Sequence, residues 1–319
     1  MSFSPSFNFS SLIEEYFTNY RYCKTICITS YNAILKIASK THENVSYVIK
    51  LTKKISLIRK EMENYNLIGP HPTILICYDQ WEYKGLGFLQ LEYAKNGSLR
   101  GKLDRSEIWR VIAHISSSLS FIHEKKCIHL DVSPANIFCC RFSDNSNVYK
   151  LGDFGSMKKV GTFEEDDEGA GRYVSPEALG FPHSPFEVGP PTDIWSFGIV
   201  LYELITNERA PSEGEPYQDL RKGLYQFRPI DDEFRFVIDM LNPNPNLRPT
   251  AYQISKFEKC EEMMGIIKTQ RIKKSIPIVP NTPASKLPKG PPEAPYTKKY
   301  HHRVLNLDSD DEFTHGADL

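Results

Sequence analysis

An α+β fold in two parts is predicted for this chain of 319 residues. Up to Ala94 the sequence alternates strand-like runs rich in β-branched residues with one helical stripe, whereas beyond it the apolar residues recur at helical spacing. A third observation limits the folded region. From about Lys268 the composition changes to seven prolines between Ile276 and Pro295 and then the acidic "DSDDEF", which cannot build a core. The expected organisation is a flexible leader over 1–20, a small β-rich unit with one helix over 21–94, a larger helical unit over 95–265, and a disordered tail over 266–319.

In chain order, "SLIEEYF" ends the leader as a short helix. "KTICI", "AILKIA" and "SYVIKL" follow as strands bounded by polar turns. "ISLIRKEMENYNLI" carries Ile55, Ile58, Met62 and Tyr65 on one helical face. "TILICYDQWEY" and "GFLQLEY" return to strand, the latter expected at a sheet edge. Ser106 can cap a helix striped by Ile108, Val111, Ile112, Ile115, Leu119 and Ile122, and another helix should carry "IWSFGIVLYELI" after "GPPTD". No internal repeat is present.

Composition excludes several classes of protein. Apolar residues make up 40% and aromatics 12%, enough for two packed units. Thirty-nine basic and 40 acidic residues leave a formal charge of -1, so no global basic field holds nucleic acid or an anionic membrane. The seven cysteines form no CxxC unit, which argues against a zinc site or disulfide scaffold. The longest apolar run, "FGIVLYELI", is far below the roughly 20 residues of a spanning helix. "MSFSPSFNFSS" lacks the features of a signal peptide. A soluble protein of the nucleus or cytoplasm is expected, with no nucleic-acid or membrane partner.

The chemistry is concentrated in four stretches: "CIHLDVSPANIF", "LGDFGS", "GRYVSPEALG" and "TDIWSFG", in that order within about 70 residues. With these motifs the sequence resembles the eukaryotic protein kinase family, whose series is HRDxxxxN, DFG, APE and DxWSxG. The resemblance implies a bilobal kinase fold with a small β-rich N-lobe and a larger helical C-lobe, and the cofactors ATP and Mg²⁺. It implies that Asp131 orients the acceptor hydroxyl or takes its proton, and that Asn136 and Asp153 supply oxygens to the metal, a hard cation that prefers them. His129 becomes a packed ring supporting the loop, and Asp193 a brace on the loop's amides. Glu177 and Arg248 become a buried ion pair.

Period-two alternation puts Val48 and Lys50 on one face of their strand, similar to the family's VAIK strand, with Lys50 reaching the α- and β-phosphates. Glu61 lies toward the inward face of its helix, between Ile58 and Tyr65, and is the expected partner of Lys50. The adenine pocket is assigned to Ile28, Ile34, Val48 and Leu91, with the backbone of Glu92 and Ala94 bonding the base.

Three departures carry consequences. The stretch "ITSYNAILK" from Ile28 to Lys36 matches the phosphate loop but contains no glycine, so Tyr31 must lie over the phosphates or the loop must stand further off; weaker or altered ATP binding is expected. Leu130 replaces the arginine that grips an activating phosphate in many kinases, and the following segment carries the acidic run Glu164 to Glu168. Ser133 replaces a lysine of serine/threonine kinases and leaves the acceptor hydroxyl open.

A closer resemblance is to the Wee/Swe-type mitosis-inhibitor kinases, carried by "YVIKLTKK", "LIGPHPTILICYDQWEYKGLGFLQLEYAKNGSL", "CIHLDVSPANIF" and "DDEGAGRYVSPEAL" over about residues 22 to 262. It implies a monomeric nuclear kinase that phosphorylates the inhibitory tyrosine of a cyclin-dependent kinase and so restrains mitotic entry. A serine/threonine kinase of another branch and a catalytically weak kinase fold used as a binding module are the competing readings.

Overall fold

The computed structural model describes residues 7–272 apart from 18, 44, 142–145, 165, 166 and 168–170. The Pro-rich and acidic tail over 273–319 lies outside the described residues.

A helix opens the chain. In α1 (Phe9–Tyr16) Asn8 accepts the amide of Ser11 as N-cap, and Phe9, Leu12 and Ile13 share one face at helical spacing. That face is buried, with Ile13 wholly inaccessible, against one side of a five-stranded antiparallel sheet. The strands are β1 (Tyr20–Ile28), β2 (Asn32–Ser39), β3 (Ser46–Thr52), β4 (Cys77–Tyr83) and β5 (Leu86–Glu92), in spatial order β1-β2-β3-β5-β4. Leu35, Ile37, Ile49, Leu51 and Phe88 form the side under α1. Phe17 extends the contact, its ring edge-on to Trp81 at 5.0 Å, and Glu15 meets Lys84 at 2.7 Å. The leader is therefore not loose over Phe9–Phe17, and the small lobe has two helices instead of one: an apolar sheet face needed a cover, and the predicted short helix supplies it.

The second correction concerns β5. The Lys84–Gly85 hairpin, both residues at positive φ as a two-residue turn requires, folds it back between β3 and β4. Six of its seven residues are buried, while β4 takes the edge with alternating exposure. Gly87 on β5 lets α2 (Ile55–Ile68) approach closely, since a Cβ there would lie 3.2 Å from Ile58.

The larger lobe is built on α3 (Arg105–Glu124) and α5 (Pro190–Thr206). All six stripe residues of α3 are buried as expected. Its N-cap, however, is Asp104, which accepts the Glu107 amide at 2.8 Å; the helix starts one residue before Ser106 because two cap-forming side chains compete within three positions. Around this pair lie β6 (Cys127–Ile128), β7 (Ile137–Arg141), β8 (Asn147–Leu151), β9 (Lys158–Lys159), α4 (Pro176–Leu179), α6 (Gly214–Lys222), α7 (Phe236–Met240), α8 (Ala251–Ser255) and α9 (Glu258–Ile272). Ile267 is buried, so the chain stays helical and packed beyond the expected boundary at 265. No helix among the described residues is long and apolar enough to cross a membrane.

The α1 contact predicts that Ile13→Ala destabilises the small lobe by about 3 kcal/mol, the cost of emptying a buried aliphatic site. Urea unfolding followed by Trp81 fluorescence measures it; a change below about 0.5 kcal/mol would show that α1 contributes nothing to that lobe.

Candidate active site

The sheet register assembles the first half of the site. Ile34 pairs with Lys50 and Lys50 with Leu89, while Lys36 pairs with Val48 and Val48 with Leu91. Cross-strand partners project to the same side, so Ile34, Val48, Lys50 and Leu91 share the face opposite α1. Ile28 does not join them. A register shift between Thr25 and Cys27 sets Cys27 opposite Ile34 and Ile28 opposite Ala33, so Ile28 faces the α1 side, 46% exposed beside Phe7 and Phe9. Cys27 takes its place, and strict alternation could not have found it because a bulge inverts the phase.

Only Lys53 and Lys54 separate β3 from α2, so the helix begins directly beside the strand's exit. Its Glu61, 2% exposed, meets Lys50 Nζ through Oε2 at 2.7 Å, and Asp153 Oδ1 meets the same nitrogen at 3.0 Å. Burial alone would push the Lys50 ammonium down, but the two carboxylates outweigh it and hold the group above its ordinary value. Burial lifts the Glu61 carboxyl to about 7 against the pull of Lys50.

The loop after β6 rests on Asp193. This wholly buried carboxylate accepts the amides of His129 at 2.8 Å and Leu130 at 2.9 Å, and it also contacts His123 Nε2 at 2.8 Å. So held, Leu130 adopts a left-handed φ of 66°. His129 is buried; its Nδ1 accepts the Asp131 amide, which leaves Nε2 to donate to the Gly152 carbonyl, and its ring meets the edge of Phe154. Phe154 in turn packs against Tyr65 of α2 at 4.8 Å. Asn64, which the sequence reading passed over, ties α2 to the same segment by donating to the Phe154 and Met157 carbonyls. Its signal was there: it lies three residues beyond Glu61, on the inward side of the helix.

Asn136 Nδ2 donates to the Asp131 carbonyl at 2.9 Å and to Asp131 Oδ2 at 2.7 Å. The amide nitrogen is thus committed and Asn136 Oδ1 is left as the acceptor end. Asp153, at a φ of 61°, uses Oδ1 for Lys50 and the Gly155 amide, so its Oδ2 is the other available oxygen. Burial raises the Asp153 carboxyl, but the charge and hydrogen bond of Lys50 prevail and hold it below its ordinary value. Burial raises Asp131, with Asn136 pulling the other way. No group of three or more His, Cys, Asp or Glu suited to a metal occurs among the described residues. Two oxygens from an amide and a carboxylate nevertheless fit a hard cation that keeps waters and phosphate oxygens as its other ligands.

At the cleft's rear Leu91 is buried, and the Glu92 amide is already bonded to the Ile76 carbonyl. The Glu92 carboxylate is bound by Lys150 at 2.7 and 2.8 Å, so that side chain braces the strand end. Ala94 follows, buried, with its carbonyl taken by Gly97. The glycine-free turn is tied down: Thr29 N donates to Asn32 O, Lys53 N donates to Tyr31 O, and Lys54 Nζ sits 4.7 Å from the Tyr31 ring. Tyr31 therefore leans on the exit of β3.

A family model described as protein kinase domain matches residues 27–258, a span that contains every residue of this constellation. The chain belongs to the protein kinase domain family. Members of this family use ATP and a divalent metal to transfer phosphoryl groups to protein. The chain is 34% identical over 225 residues to a probable protein kinase of Dictyostelium discoideum, covering 65% of this chain and 61% of the relative. It is 30% identical over 207 residues to a membrane-associated tyrosine- and threonine-specific cdc2-inhibitory kinase of Caenorhabditis elegans, covering 60% and 29%. It is 26% identical over 232 residues to the mitosis inhibitor protein kinase wee1 of Schizosaccharomyces pombe, covering 67% and 25%. The matches thus span from a quarter to three fifths of these relatives' lengths.

In this kinase domain Leu130 is not an empty substitute for arginine. It is buried in an apolar cluster with Ile128, Val174, Ala178 and Val188, against which Phe163 and Phe181 pack. Of the acidic run, Glu164 and Asp167 are described, and both face Lys158, at 3.6 and 2.7 Å. The segment is held by apolar contact and permanent carboxylates. Phosphatase treatment should therefore leave kinase activity within about twofold of the untreated protein, and complete loss would refute this.

Below the segment, Arg248 binds Glu177 in a forked pair at 2.6 and 2.8 Å, both side chains fully buried, with Thr192 Oγ1 donating to the same carboxylate. Glu177→Ala strands the arginine charge and should cost about 3–5 kcal/mol in urea unfolding; a loss under about 1 kcal/mol would mean the pair is dispensable to the fold.

Proposed function

We propose that this kinase domain is a Wee-like enzyme that uses Mg·ATP to phosphorylate the inhibitory tyrosine of a cyclin-dependent kinase, acting as a monomer in the nucleus to restrain mitotic entry. The observation that carries the catalytic part is the closed arrangement of Lys50 between Glu61 and Asp153, with Asp131 and Asn136 bonded to each other. The substrate rests on the similarity to the cdc2-inhibitory kinase of the worm and the mitosis inhibitor kinase of fission yeast.

When bound, Mg·ATP supplies the transferable γ-phosphoryl group and the metal charge that offsets its oxygens. Lys50, kept protonated by its two carboxylates, would hold the α- and β-phosphates. Asn136 Oδ1 and Asp153 Oδ2 would hold the metal. Asp131, oriented by Asn136 and by the His129 ring, would align the acceptor hydroxyl and take its proton. Ile34, Val48 and Leu91 would enclose the base, with Glu92 left to offer its carbonyl and Ala94 its amide. The tied, glycine-free turn brings fewer backbone amides to the phosphates, so nucleotide binding is weaker than in a glycine-loop kinase.

Incubation with Mg·ATP and a cyclin-dependent kinase complex, followed by phosphosite mapping, tests this. Phosphotyrosine in the substrate's nucleotide loop is expected, falling at least about a hundredfold in Asp131→Asn. Phosphoserine or phosphothreonine would move the protein to another kinase branch, and no transfer would make it a binding module.

A further inference from the structure

Arg221 of α6 is 6% exposed and has no carboxylate partner among the described residues. Burying a cation is costly unless its donors are satisfied. Here the two terminal nitrogens are satisfied by backbone, Nη2 donating to the Arg172 carbonyl at 3.1 Å and the Val174 carbonyl at 2.6 Å and Nη1 to the Tyr217 carbonyl at 3.1 Å, while the buried Nε has no hydrogen-bond partner among the described residues. The guanidinium lies 3.4 Å from the centre of the Tyr217 ring and 5.8 Å from that of Trp195, two faces that favour a cation.

The neighbours complete a pattern. Tyr217 Oη donates to the Gly171 carbonyl at 3.1 Å, and Ser196 Oγ donates to the Tyr173 carbonyl at 2.8 Å. Four consecutive carbonyls, Gly171 to Val174, are thus each capped by a side chain from α5 or α6. The Tyr173 hydroxyl is also fixed, donating to Glu203, which binds Arg209 as well. Tyr173 and Val174 of this pinned segment line a small cavity together with Leu130, Asp131 and Val132. The segment's position therefore sets the space beside the acceptor-orienting carboxylate.

We propose that Arg221, seconded by Tyr217, is a positioning residue for the protein acceptor: it fixes residues 171–174 relative to Asp131 and touches neither nucleotide nor acceptor. The proposal rests on the reading of Asp131 given above. A lysine cannot replace it fully, because one ammonium lacks the planar fork that reaches two carbonyls and the α6 backbone together.

The test uses full-length Tyr217→Phe, Arg221→Lys and Arg221→Met proteins. Acceptor KM is measured with a cyclin-dependent kinase complex and, separately, with myelin basic protein and a glutamate–tyrosine copolymer; ATP KM, ATP hydrolysis to water and hydrogen exchange over 171–175 are measured alongside. Acceptor KM should rise about tenfold in Arg221→Met and about threefold in Tyr217→Phe, with Arg221→Lys between wild type and Arg221→Met. ATP KM and ATP hydrolysis should stay within about twofold, while exchange over 171–175 quickens. Unchanged exchange in that segment overturns the proposal, as does ATP hydrolysis falling in step with acceptor turnover, which would mark Arg221 as a general structural residue. Transfer to the generic acceptors but not to the cyclin-dependent kinase complex would remove the substrate reading and leave this comparison intact.

Discussion

One ammonium group organises the catalytic face. Lys50 Nζ lies 2.7 Å from a carboxylate of α2 and 3.0 Å from one on the strand-end loop of the other lobe, so two adjacent elements and a loop 103 residues further on share a single charge. With Glu61 buried and its Oε1 bonded to nothing among the described residues, the helix has a strong electrostatic reason to stay against β3. That placement brings Tyr65 onto Phe154 and Asn64 onto the Phe154 carbonyl, which keeps the Asp153 backbone in its left-handed turn and its carboxylate directed at Lys50. Displacing α2 would undo all of these contacts together.

Asp193 does for the loop what Lys50 does for the cleft. A carboxylate excluded from water, accepting two consecutive amides, fixes the positions from which His129 and Asp131 project. The left-handed φ of Leu130 is a cost the loop bears because those amides must both point at one carboxylate. The candidate site groups thus sit on a frame stabilised by two charges, the wholly buried Asp193 and the partly exposed Lys50, each paired with more than one partner.

The placement of the candidate site residues was legible in the sequence because they are grouped within single elements. Val48 and Lys50 lie on one strand and Glu61 on one helix face, so local periodicity places these three, whereas Asp131 and Asn136, on one loop, were assigned by the resemblance of their motif. What stayed hidden depends on contacts between distant segments. The interior position of β5 follows from how a hairpin folds back, and the covering role of α1 follows from an apolar sheet face that strand alternation describes without naming its partner. The exchange of Ile28 for Cys27 arises from a one-residue bulge, which inverts the phase on which alternation depends. Arg221 gave little local signal beyond Tyr217 one turn earlier, since its other two acceptors are backbone carbonyls 47 and 49 positions away.

The two ends of the segment between Asp153 and Glu177 are restrained by different means. Near its start, Lys158 faces Glu164 and Asp167, partly exposed pairs that salt can screen. Near its end, carbonyl caps, the Leu130 cluster and the Glu177–Arg248 pair are buried and insensitive to ionic strength. A phosphate bound by an arginine would have set both ends through one switchable charge. Leucine at position 130 offers no cation for such a phosphate and turns the loop side of the segment into an apolar seat. The glycine-free turn is likewise tied to its own sheet, through the Lys53 amide on the Tyr31 carbonyl.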